Sequence, residues 1–149
     1  MSQTSNKVKT MFELVFDIEK ETDKREQGAA NLIVLAKERS GAELLLKEGA
    51  IPKIARLMKV EKDIKIRLNL IRCIGQLCQK GQEFVKEVLK ECGVPFFLDI
   101  LNTKNEEVVN ASSYVIQVSC TQCSEIRKKV VSCRMQFHEI FVVTKNKVI

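Results

Sequence analysis

Apolar residues recur along this chain at three- and four-residue intervals, and short polar or glycine punctuation separates the runs. That period places them on one face of an α-helix. Met11, Phe12, Val15 and Phe16 mark a helix over 8–19. Thr22 is placed to cap a second helix, with Asp23 and Glu26 favoured by the helix dipole in its first turn. Leu32, Ile33, Leu35 and Ala36 carry it to about residue 39, where Ser40–Gly41 should break it. Residues 42–48 read as a short helix closed by Gly49, which suits a left-handed cap. Pro52 fits the first turn of the next helix, where a missing N–H leaves no bond unmade. Asp63 can cap a long helix over 64–79, whose apolar set (Ile64, Ile66, Leu68, Leu70, Ile71, Ile74, Leu77, Cys78) covers most of its circumference. This helix is expected to be mostly buried, with Ile74 and Leu77 in the core. Gly81 stops it. A helix over 82–91, a Pro95-opened helix to 101, a loop over 102–105 and a long helix from 106 to about 120 complete the pattern.

The order short helix, glycine, proline-opened helix, polar loop, long helix occurs twice. Leu32, Ile74 and Ile116 stand at one constant interval, and the same interval separates Ala36, Cys78 and Cys120; Pro52 and Pro95 lie one position further apart. Helical units with a period of ~40–47 residues are the mark of armadillo or HEAT solenoids, and this interval falls in that range. The expected fold is all-α: an armadillo-like α-solenoid, a right-handed superhelix of about three repeats. The expected division is a disordered N-terminus over 1–7, repeats over 8–40, 41–81 and 82–123, and an incomplete repeat with an atypical tail over 124–149.

Composition narrows the function. Apolar residues make up 45% of 149 and charged residues 30%, a globular balance. No apolar run approaches the ~18 residues of a membrane span, and the polar opening lacks the apolar core of a secretory signal. Six cysteines without such a signal read as reduced thiols in the cytoplasm. The net charge of +6 is spread along the chain and Trp is absent, so no nucleic-acid footprint emerges. A single His and no acid–base cluster argue against an enzyme.

Two segments, Glu48-Gly-Ala-Ile-Pro-Lys-Ile-Ala-Arg-Leu-Met58 and Cys92-Gly-Val-Pro-Phe-Phe-Leu-Asp-Ile-Leu101, resemble the armadillo junction between first and second helices. Upstream, Met11-Phe-Glu-Leu-Val-Phe-Asp17, Arg25-Glu-Gln-Gly-Ala-Ala-Asn-Leu-Ile-Val-Leu-Ala-Lys37 and Gly41-Ala-Glu43 resemble the central region of the Unc-forty-five family of myosin chaperones. The resemblance covers roughly residues 7 to 123. It implies a cytosolic co-chaperone working with heat-shock protein 90 in the folding and assembly of myosin motor domains. In that family a tetratricopeptide domain binds heat-shock protein 90 and a C-terminal armadillo domain binds myosin. Neither is matched here, so the resemblance transfers the scaffold, and the chain is expected to be a fragment or an alternative ending of a longer product. A general armadillo adaptor for other cytosolic proteins is the alternative.

The polar stripe Asn69, Arg72, Gln76, Gln79 runs along the long helix over 64–79 at helical spacing, and Asn110 and Gln117 lie on the next long helix. In armadillo solenoids the third helices line the concave surface, so these six residues are the candidate protein-binding face. Of the positions that carry the asparagine ladder of peptide-binding armadillo proteins (Val34, Gln76 and Val118 here), only Gln76 could serve. No catalytic, cofactor-binding or metal-binding residue is expected. Cys120-Thr-Gln-Cys123 has a metal-like spacing, but its only further ligands, Cys133 and His138, give no familiar zinc pattern, and Cys120 falls on a repeat position suited to packing. An uncovered repeat edge at the C-terminal end could support self-association.

Overall fold

The computed structural model describes residues 21–132, together with Asn6, Lys9, Thr10 and Glu13. Those four residues are helical; the rest of the segment 1–7 and of the helix expected over 8–19, and the tail with Cys133 and His138, lie outside the described residues. Residues 21–132 hold eight helices and no strand. They are α1 (Thr22–Lys37), α2 (Arg39–Lys47), α3 (Ala50–Val60), α4 (Ile64–Gln79), α5 (Gln82–Glu91), α6 (Val94–Ile100), α7 (Glu106–Gln122) and α8 (Ser124–Ser132).

The long helices α1, α4 and α7 form one layer, with α4 between the other two. On the other side α3 packs against α4 and α5, α6 against α7, and α8 against α6 and α7. One continuous core runs between the layers, and Leu45, Ile51, Ile54, Met58, Leu70, Ile71, Ile74 and Leu77 are fully enclosed in it.

The same sequence devices start and end successive units. Asp63 accepts the Ile66 N–H at 3.0 Å, and Asn105, at the matching position of the next unit, accepts the Val108 N–H at 3.1 Å. Each satisfies one of the orphan donors of a helix N-terminus. At the opposite ends, Lys80 Nζ donates to the Lys37 carbonyl at 2.7 Å and Gln122 Nε2 to the Gln79 carbonyl at 2.9 Å. Thus each of these long-helix C-termini is closed by a side chain of the following long helix or its cap. Gly49 adopts φ 67° between α2 and α3, the left-handed turn expected of it.

Three local expectations are corrected. Glu21 occupies the N-cap of α1 and Thr22 is already helical, so Thr22 is not the cap. The chain breaks at Glu38, which is extended (φ −81°, ψ 135°), and Ser40–Gly41 lies inside α2. Gly41 has a different purpose: a Cβ there would stand 2.1 Å from the Leu35 carbonyl oxygen, so only glycine lets α2 turn this closely against the end of α1. Ile64, counted with the buried apolar set, is 59% exposed: it is the first residue of α4, just after the α3–α4 turn.

The register also carries a charge motif that changes between units. Arg25 pairs with Glu61 beside the start of α4, with both side chains nearly enclosed. Its counterpart Arg67 finds Thr103 at the matching loop position, and its guanidinium instead lies over the Phe96 ring, 5.8 Å from the centroid.

Candidate protein-binding groove

Residues 69, 72, 76 and 79 follow the three- and four-residue rule and occupy one edge of α4, while the apolar positions turn inward. Where α4 meets α7, this edge forms one wall of a shallow groove of about 280 Å³. Arg72 and Gln76 line that wall; Glu107, Asn110, Ala111 and Tyr114 line the other. The spacing 107, 110, 111, 114 is again one helical face.

Gly75 controls how closely the walls approach. A Cβ on it would meet Tyr114 Cδ1 at 2.9 Å and Val115 Cγ2 at 3.6 Å. A glycine inside a helix weakens it by roughly 0.5–1 kcal/mol relative to alanine. Here it lets the Tyr114 ring pack closely against α4 at the side of the groove.

Of the six expected residues, the groove unites Arg72, Gln76 and Asn110. Asn69 is half-buried one turn before Arg72 and outside the lining. Gln79 is exposed at the end of α4, where its carbonyl accepts the Gln122 bond. Gln117 is exposed at the repeat position of Gly75, which on α4 faces the following long helix. It therefore lies on the outward side of α7. The sequence reading missed Glu107, Ala111 and Tyr114. Two signals could have found them: Tyr114 is the chain's single tyrosine and falls at the repeat position of Arg72, and Gly75 interrupts an otherwise apolar helix without ending it.

The lining suits a polypeptide better than a small molecule. It is open, four of its six lining side chains are charged or carboxamides, and its volume is only at the lower end of the ~300–1,000 Å³ of typical ligand cavities. The carboxamides of Gln76 and Asn110 can each donate and accept, as a peptide backbone requires. Arg72 and Glu107 supply one charge of each sign, and Tyr114 a flat apolar surface with a polar tip. The face continues onto α1 with a different character: Val34, the counterpart of Gln76, is 64% exposed.

Among the described residues, the cysteines form no comparable site. Burial pushes the Cys73 and Cys78 thiols up to about 12 and Cys92 up to about 11, so at neutral pH they are protonated and poorly nucleophilic. Cys123 is buried at the end of α7 and Cys120 half-buried on it. Among the described residues, no three His, Cys, Asp or Glu side chains are grouped so as to hold a metal ion.

No family model matches the chain. Protein unc-45 homolog B from the zebrafish Danio rerio is 31% identical over 114 residues, which are 76% of this chain and 12% of the relative. The structure of UNC-45 from Drosophila melanogaster matches with a TM-score of 0.72 and 41% sequence identity, over 82% of this chain and 16% of that chain. The chain is homologous to the UNC-45 proteins. It corresponds to their central armadillo-like region and spans only about an eighth of the zebrafish relative's length. A designed armadillo repeat protein matches with a TM-score of 0.74 at 13% identity, over 84% of this chain and 52% of that one, a likeness of fold alone. The all-helical array is thus an armadillo-like solenoid, as the repeat register implied. No helix among the described residues is long and apolar enough to cross a membrane.

Proposed function

We propose that this UNC-45-like chain is a non-enzymatic scaffold that holds an extended segment of a protein partner in the groove between α4 and α7. The observation that carries the reading is the groove itself: two carboxamides, one charge of each sign and a tyrosine ring, fixed on adjacent packed helices. Rigid helical mounting lowers the ordering cost of binding. The homology supports the finer reading that the work is cytoplasmic and myosin-directed, in concert with heat-shock protein 90.

The test titrates the purified chain separately against a myosin motor domain and against heat-shock protein 90, beside the groove variant Arg72→Glu with Gln76→Ala. Binding of either protein, weakened at least ~10-fold (about 1.4 kcal/mol) by the variant, is expected. Binding of neither would overturn the co-chaperone reading. Equal binding by both chains would remove the groove from it.

A further inference from the structure

We propose that the apolar crevice at the C-terminal end of the array is the seat of residues 133–149 of the same chain. The crevice lies between α5, α6, α7 and α8 and is lined chiefly by Leu89, Val94, Phe97, Ile116, Ile126 and Val130. It encloses only about 10 Å³, so it is covered by side chains laid across its mouth and not by one inserted deeply.

Three observations point to this occupant. First, Leu89, Ile116 and Val130 keep accessible surface at the crevice mouth while Val94, Phe97 and Ile126 beneath are buried, and along α7 the register leaves apolar positions partly uncovered. Leu32 and Ile74 are fully buried, whereas their counterpart Ile116 is half-buried; Ala36 and Cys78 are fully buried, whereas Cys120 is half-buried. Second, the remainder of α7's outward side is polar: Ser113 and Gln117, both exposed, stand where α4 carries Ile71 and Gly75. That polarity suits water and not another long helix, which confines apolar docking to the crevice. Third, the chain leaves α8 just beyond Val130, on the lip of the crevice. Within 133–149, Met135, Phe137, Ile140, Phe141, Val142 and Val143 fall in one run whose single charge is Glu139. Apolar surface of that density is stabilised by burial. A tethered segment acts at an effective concentration of roughly millimolar, so it outcompetes a second copy present at micromolar levels.

Cys120, one turn beyond Ile116, is the reporter. Residue-resolved alkylation of the full chain is compared with that of the Phe137→Asp/Phe141→Asp variant at matched helix content. At least ~10-fold faster labelling of Cys120 in the variant is expected, since exposure governs access to the thiol. Equal rates would overturn the proposal. Should the variant fail to fold, amide hydrogen exchange on the unaltered chain decides. Protection of amides within 135–143 by at least ~10-fold, unchanged on dilution, is expected. Exchange at unprotected rates, or protection lost on dilution as a second copy would give, would overturn it.

Discussion

Helices α4 and α7 hold equivalent places in successive units, yet α4 buries nine of its 16 residues and α7 only four of 17. Part of the difference is sequence, since Asn110, Ser113 and Gln117 stand where α4 carries Leu68, Ile71 and Gly75; the rest lies at matched apolar pairs, Ile74 with Ile116 and Cys78 with Cys120. That remainder comes from neighbours. Helix α4 is packed between α1 and α7, while α7 has α4 on one side and is otherwise touched by α5, α6 and α8. In a solenoid the worth of an apolar residue therefore depends on whether the next unit stands against it, because each unit shares its core with the adjacent one.

The largest effect that could break this comparison is truncation at the paired isoleucines. Ile74→Ala should cost ~2–5 kcal/mol, as expected for a fully enclosed side chain. Ile116→Ala should cost less than about half of that, because part of its surface is already accessible. Urea unfolding of both variants measures the difference, and equal losses would contradict the asymmetry.

A smaller effect is expected where the two walls of the groove meet. Gly75→Ala forces a Cβ against Tyr114 and should destabilise by ~1–3 kcal/mol despite alanine's better helix propensity. Gln117→Ala, at the same repeat position on the outward side of α7, should be neutral or slightly stabilising. With one Tyr and no Trp, the intrinsic fluorescence of Tyr114 reports the first change directly. An unaltered tyrosine signal in Gly75→Ala would mean that the ring does not rest on α4.

The N-caps sharpen the comparison by cancelling it. Asp63→Ala and Asn105→Ala should each cost ~1 kcal/mol, since a capping bond is local and indifferent to the neighbouring unit. Thermal unfolding would expose any inequality, which would show that the α7 cap is coupled to the open end.

The smallest effect concerns the link between units on the other layer, where Arg56 on α3 meets Glu91 on α5 at 2.8 Å. The Arg56 hydrogen bond and positive charge hold the Glu91 carboxyl below its ordinary value. A depressed carboxylate contributes stability above the unfolded-state value and loses it as pH falls through the folded one. Arg56 is exposed and Glu91 half-buried at the surface, where solvent screens the pair, so the expected outcome is a slight acid-side loss in melting temperature that is absent from Arg56→Ala. An identical acid-side profile in both chains would remove the pair from the stability of the array.

Much of the helix order was legible because it rests on local chemistry. Asp63 as a cap, Gly49 as a left-handed turn and Pro95 in a first turn each follow from what one residue does to its own backbone. Ser40–Gly41 misled for the complementary reason. A glycine in sequence reads as a breaker, but the need for Gly41 arises from the Leu35 carbonyl of the preceding helix. The groove was half legible in the same sense. Arg72 and Gln76 stand out as polar residues on an apolar helix, whereas Glu107 and Tyr114 sit on a helix rich in polar side chains and carry no such contrast.

By itself, the sequence determined the helices, the caps that start α4 and α7, and the repeat register, because hydrophobic period and capping chemistry act within one or two turns of chain. The tertiary structure alone decided which wall faces Arg72, why Gly75 must lack a side chain and why Ile116 is less buried than Ile74. Those properties depend on distances between residues a full repeat apart, set by how the long helices pack and not by the preference of any single residue.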